Sequence, residues 1–168
     1  ISCLPIGFKS GISNKNKERK YKWNFIGTPH KSSRHDLLFN FSEIKPFFTF
    51  KTQRFNDKNK IIEAAQMSDI LSSTIFVPCP NGFIHPETYR LYEALECGCI
   101  PIIENTYKYY DRLFPNNPFL KIDKWSEAKE IVVSWKNDQI NKKQEQCNTW
   151  WQQYKLKLKE DILGKIVQ

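Results

Sequence analysis

The sequence predicts an α/β fold with a mainly parallel sheet and helices on both faces. Three observations predict it. Strand-length apolar runs alternate with segments of helical period from Trp23 to Glu104. Short turns bearing Gly or Pro separate them. One run, Ser73–Pro78, carries no charge on either alternate face, as expected of a parallel strand covered on both sides.

Residues 1–22 read as an irregular lead-in, because Gly7, Gly11 and the polar run Ser13–Lys22 break any period. Trp23–Gly27 is a short buried strand, ended by Gly27-Thr28-Pro29. A helix over Ser33–Glu43 follows, with Leu37, Leu38 and Phe41 on one face. Phe47–Phe50 is the second strand. Asn56 or Asp57 is the candidate cap of a helix over Lys58–Met67, with Ile61, Ile62 and Ala65 inward. Ser68–Leu71 reads as a separate short helix. The strand Ser73–Pro78 leads into a turn at Pro80-Asn81-Gly82. Pro86 suits the first position of the next helix, which runs to Glu96 or Cys97 and is closed by Gly98. Cys99–Glu104 is the fourth strand. Trp125, Ala128, Ile131, Val132 and Trp135 repeat at helical spacing. So do Cys147, Trp151, Tyr154, Leu158 and Ile162. The chain thus divides into a lead-in or interdomain linker (1–22), a sheet domain (23–140) and an amphipathic helix packed on it (141–168).

Composition narrows the function classes. The 168 residues are 40% hydrophobic, enough for one core and too many for disorder. No apolar stretch is long enough to cross a membrane, and no secretory leader opens the chain. A start at Ile1 rather than Met suggests a piece of a longer protein. The net charge of +8 divides into +7 over residues 1–34, −2 over 35–140 and +3 over 141–168. Of the 26 basic residues only 5 are Arg, whereas a nucleic-acid reader favours Arg for bidentate contacts. A non-catalytic basic domain docking on nucleic acid or anionic glycan through residues 9–22 is therefore the alternative reading. The five cysteines include no Cys-x-x-Cys pair and read as buried free thiols, which leans toward a reducing compartment. No Asp-x-Asp pair or His/Cys cluster suggests a metal.

In an open parallel sheet, ligands bind outside the carboxyl ends of the strands. The turns Gly27–Arg34, Pro78–Arg90 and Glu104–Asp111 hold that position. Arg90 and Glu93 share a helical face, and Glu87 lies three residues earlier. A helix N-terminus, an Arg one turn in and a deeper carboxylate would hold a nucleoside diphosphate. The same residues would equally form a surface salt-bridge ladder. Tyr107, Tyr109 and Tyr110 follow the fourth strand at the same edge. His30 and His35 flank Arg34 as loop histidines, and Trp150-Trp151 reads as packing rather than sugar stacking.

The stretch "STIFVPCPNGFIHPETYRLYEALECGCIPII", Ser73–Ile103, resembles the donor-binding half of exostosin-like glycosyltransferases. The matches are Pro78 or Pro80, Gly82, Arg90, Glu93, Ala94, Leu95, Gly98, Cys99, Ile100, Pro101, Ile102 and Ile103. "WNFIGTPHKSSRHDLL" is similar to the family's upstream segment at Phe25, Gly27 and Arg34. The opening "LPIGF" resembles the linker into this half, and the resemblance, over about residues 4–135, is close to the ribitol-xylosyltransferase branch. It implies a Rossmann-like domain, the C-terminal half of a GT-B enzyme that inverts configuration. By the same resemblance Glu93 binds the donor ribose, and Arg90 and Arg34 face the diphosphate, Arg90 stabilising the leaving group. Gly27, Thr28 and Gly82 would let backbone N–H groups approach the donor, with His85, Glu87 and Thr88 beside them. Many GT-B enzymes carry a further Glu where His85 stands, and Glu87 is out of register with it.

The resemblance implies further expectations. The substrate is a nucleotide-sugar such as a UDP-sugar, with no cofactor and no metal. The partners are a glycan acceptor and a preceding N-terminal acceptor domain that supplies the general base. No nucleic acid and no membrane contact are expected for this segment. The location would be the Golgi lumen for a eukaryotic member and the cytoplasm for a viral or microbial one.

Overall fold

A computed structural model describes residues 5–53 and 61–166. Its order is β1 (Tyr21–Gly27), α1 (Arg34–Phe41), β2 (Phe47–Lys51), α2 (Ala64–Ser72), β3 (Thr74–Cys79) and α3 (Tyr89–Glu96). β4 (Ile100–Glu104), a 3-10 turn (Thr106–Lys108), α4 (Tyr109–Leu113), β5 (Leu120–Ile122), α5 (Trp125–Ser134) and α6 (Asn137–Ile166) complete it. The strands form one sheet in the order β2-β1-β3-β4-β5. Every pairing is parallel, with Trp23 opposite Phe47 and Phe76, and Phe76 opposite Ile100.

Each face of the sheet carries its own core. Trp23, Phe25, Phe76, Ile100 and Ile102 point to the side where α1 and α5 bring Leu37, Phe41, Trp125, Ala128 and Val132. Val77, Cys79, Cys99 and Ile103 point to the other side, under Leu91 and Leu95 of α3, Leu71 of α2, and Cys147 and Trp151 of α6. Alternation along β3 and β4 feeds both cores, which is why these strands read as unbroken apolar runs. Burying a Phe or Leu side chain contributes about 1.5–3 kcal/mol, so two-sided burial is the main force placing the central strands.

The lead-in is ordered and tied down. Arg19, half-buried, donates to the carbonyls of Leu71, Thr74, Cys97 and Gly98 at 2.8–2.9 Å. These carbonyls cluster where α2 and α3 end, so one guanidinium satisfies backbone groups that helix termini leave unpaired. Ile12 enters the core, and Phe8 packs edge-on against Trp151 at 6.3 Å.

Several element readings are corrected. Pro86 lies outside α3. Thr88, in extended conformation, precedes the helix, and the loop before it is held by Tyr110 Oη and Gly82 N–H on the Pro86 carbonyl. Glu87 is therefore a loop residue. Lys58–Met67 and Ser68–Leu71 are not two helices: α2 is one helix, started by a reciprocal capping box between Glu63 and Gln66. The caps proposed at Asn56 and Asp57 lie outside the described residues. Gly98 does close α3, at φ +69°. The fifth strand was not foreseen, because three residues are too short for a period to register. Cys79, Cys97, Cys99 and Cys147 are buried free thiols, and Cys3 lies outside the described residues. Burial pushes Cys99 up to about 11, and Cys97 and Cys147 up to about 12. Among the described residues no helix is long and apolar enough to cross a membrane.

Candidate functional site

The strand order reverses direction between β1 and β3. From β1 the chain moves to β2 on one side and then returns to β3 on the other. The loops leaving β1 and β3 diverge there and open a crevice at the carboxyl edge. Arg34, the first residue of α1, and Arg90, in the first turn of α3, converge on it from opposite faces of the sheet.

Arg90 reaches across the switch point. Its Nη2 donates to the carbonyl of Ile26 in β1, and its guanidinium stacks over Phe25 at 5.0 Å. Gly27 makes room for it. A Cβ at Gly27 would lie 2.6 Å from Arg90 Nη2, and φ is +144°, which other residues rarely adopt. Arg34 Nη1 donates to the Thr28 carbonyl at 2.8 Å, and Thr28 Oγ1 meets Thr52 Oγ1 at 3.2 Å. Burial first, and the charge of Arg90 second, lower the Arg34 pKa to about 10, with Glu104 opposing. Burial likewise lowers Arg90, against the opposing influence of Cys79 and Glu93. Two guanidiniums partly stripped of water, one of them feeling the charge of the other, favour an anion beside them.

Glu93 lies one turn deeper on α3. Burial raises its pKa, while Arg90 and then Lys9 oppose the rise. Glu87 is differently occupied. Its carboxylate is nearly buried and accepts from Ile6 N–H (2.8 Å), Tyr109 Oη (3.2 Å) and Tyr92 Oη. His85 is exposed and packs edge-on against Tyr109 at 4.9 Å, its Nδ1 accepting from Glu87 N–H. Gly82 is packed against the carbonyl of His85. Arg34, Arg90, Gly27 and Thr28 thus meet at the end of β1, while Gly82, His85, Glu87 and Thr88 belong to the loop that leads into α3. Of the three tyrosines, Tyr110 is buried with its hydroxyl on the Pro86 carbonyl, and Tyr107 is 84% exposed.

Four buried side-chain polar atoms among the described residues have no hydrogen-bond partner: Arg34 Nε, Asn81 Oδ1, Thr88 Oγ1 and Asn105 Oδ1. All four residues follow the carboxyl end of a strand. Buried polar groups are rarely left unpaired, and these four lie in the segments that follow β1, β3 and β4. Asn81, Glu104 and Asn105 were not among the site residues read from the sequence, although each stands at or just beyond a strand end. Glu104 knits the edge together. Its carboxylate accepts from Asn81 N–H at 2.8 Å and from Trp125 Nε1 at 3.1 Å. On the β2 side an open cleft of about 530 Å³ is lined by His30, His35, Phe39, Lys51 and Gln53. No group of His, Cys, Asp and Glu among the described residues is arranged to hold a metal ion.

Comparison with known proteins gives a consistent family. Ribitol-5-phosphate xylosyltransferase 1 of Mus musculus is 25% identical over 163 residues, covering 84% of this chain and 36% of the mouse protein. The Homo sapiens protein of that name is 25% identical over 163 residues, covering 84% of this chain and 37% of its own length. The Danio rerio protein is 28% identical over 93 residues, 53% of this chain and 21% of its own. The chain therefore spans little more than a third of the length of these mammalian relatives. Residues 6–168 match the family described as the RXYLT1 C-terminal domain. With the match running through both arginine loops and on to the end of α6, the chain belongs to the RXYLT1 C-terminal domain family.

Proposed function

We propose that this chain is the nucleotide-sugar-binding part of a glycosyltransferase of the exostosin-like, GT-B kind, one that inverts configuration. The observation that carries the reading is the two partly desolvated guanidiniums, Arg34 and Arg90, at the β1/β3 switch point. Both of those groups donate hydrogen bonds, as a diphosphate requires. The relatives' name, a xylosyltransferase acting on ribitol 5-phosphate, supports transfer of a pentose to a phosphorylated or glycan acceptor.

In such a transfer an acceptor hydroxyl attacks the anomeric carbon of the donor. The bond from that carbon to the diphosphate breaks, and the diphosphate keeps the electron pair. Arg90 and Arg34 stabilise the charge that grows there. The proton leaves the hydroxyl for a general base, placed by this reading in a preceding acceptor domain of the longer protein. Glu93 takes the ribose hydroxyls, and no metal is required.

Calorimetric titration with UDP, GDP and ADP tests the reading. Binding of at least one at millimolar concentration is expected, and no binding by any would sink it. Arg34→Met should weaken the diphosphate about tenfold or more while leaving the bare nucleoside unchanged, since a hydrogen bond to a charged group contributes about 1.5–3 kcal/mol. Glu93→Ala should weaken nucleoside and diphosphate alike.

A further inference from the structure

The arginine crevice opens between β1 and β3. On the other side of β1, where β2 ends, lies the open cleft of about 530 Å³. Leu38 and Phe39 of α1 give it an apolar wall, and Phe39 is 75% exposed. His30, His35, Lys51 and Gln53, all exposed, bring its polar groups. An apolar wall with a few polar groups, in a volume of this size, is the ordinary make-up of a small-molecule site. The charge on offer has one sign. Lys51 is a cation that only donates, and each imidazole donates from at least one nitrogen. No Asp or Glu lines the cleft. Among the described residues no carboxylate pairs with Lys51, His30 or His35. The neighbouring Asp36 accepts from the Asn40 side chain at 3.0 Å. The cleft therefore suits a ligand with an anionic end and a body that can lie against an aromatic ring.

The cleft and the arginine crevice share a wall. Thr52, which lines the cleft, donates its N–H to the Gly27 carbonyl at 3.2 Å, and its Oγ1 meets Thr28 Oγ1 at 3.2 Å. Gly27 abuts Arg90, and the Thr28 carbonyl accepts from Arg34, the residue before His35. The two sites are thus neighbours across the end of β1. We propose that the cleft binds the phosphate of a phosphorylated acceptor, a polyol or sugar phosphate, with Lys51, His30 and His35 at the phosphate and Phe39 against the carbon chain. The inference rests on the transferase reading above and adds to it the place of the acceptor's charged end. Anchored there, the acceptor extends its hydroxyls across the end of β1 toward the donor, while the base stays with the preceding domain.

The test is calorimetric titration of the wild type, Lys51→Met, His35→Leu and Phe39→Ala with ribitol 5-phosphate and with ribitol, in the presence and absence of saturating UDP. Ribitol 5-phosphate should bind at millimolar concentration with UDP present, and ribitol should not. Lys51→Met and His35→Leu should each weaken ribitol 5-phosphate about fivefold, the scale of one exposed ionic contact. Phe39→Ala should weaken it as well. All three should leave the UDP affinity unchanged, which shows that each variant is folded. Failure of ribitol 5-phosphate to bind, equal binding of ribitol, or affinities unmoved by the three substitutions would each overturn the proposal. So would loss of ribitol 5-phosphate binding on adding UDP, because the phosphate would then occupy the diphosphate crevice. Should UDP itself not bind, the donor reading fails separately, and the three substitutions still decide whether the cleft is an anion site.

Discussion

At the scale of single residues, the site is built from groups kept in uncomfortable states. Arg34 and Arg90 are both held below their ordinary pKa range, first of all by burial. Glu93 is the mirror case, a carboxyl that burial raises above the usual 4.5. The consequence for stability has a definite sign. Just above pH 4.5 the folded chain keeps a proton on Glu93 that the unfolded chain has released. The folded state then binds more protons, so stability falls as pH rises through the raised pKa. Glu93→Gln removes this slope. Urea denaturation from pH 4.5 toward neutrality should show the wild type losing stability where the variant does not. A wild type with the same profile as the variant would mean that Arg90 and Lys9 hold Glu93 ionised throughout. Glu87 shows the limit of spacing as a guide. Its place three residues before Arg90 suggested a ligand group, yet its carboxylate already accepts from Ile6, Tyr92 and Tyr109.

At the scale of elements, the termini of α2 and α3 depend on one side chain from outside them. Arg19→Met removes four hydrogen bonds, although Gly98 keeps the donor Gln144 and Leu71 keeps Cys99, and should destabilise the fold by about 3 kcal/mol. The urea midpoint should fall accordingly, and Arg19→Lys should recover part of the loss. An unchanged midpoint would mean that water satisfies those carbonyls equally well. The elements themselves were largely legible. Strands of two-sided burial announce themselves as uncharged runs, and Gly98 announces the end of α3 by its chemistry. What escaped were features decided by partners remote in sequence. The start of α3 is set by hydrogen bonds on Pro86, one of them from Tyr110, and β5 exists because β4 offers it an edge. Arg34, Arg90 and Glu93 could be marked from a motif. The cleft beyond β1 could not, because His35 and Lys51 come together only once β1 and β2 have paired.

For the whole molecule, the basic balance takes on a different meaning. Three of the eight positive residues in 1–34 have partners within the fold. Arg19 caps two helices, Lys17 pairs with Asp69 at 2.7 Å, and Arg34 sits in the crevice. The chain should therefore leave a heparin column at low salt, and replacing Lys15, Lys17 and Lys20 by Gln should shift its elution little. Strong, salt-sensitive retention abolished by those substitutions would instead favour the polyanion-binding alternative. The lead-in is also a mechanical element. Ile6 is joined by one hydrogen bond to Glu87, three residues from Arg90, and Phe8 and Ile12 are anchored behind it. A tug on the backbone at Ile6 is borne first by that single bond and arrives at the loop that aims Arg90 across the crevice. The segment is thus a tether with a weak link at its outer end, so a pull there would disturb the loop before α3 ahead of the Phe8 and Ile12 anchors.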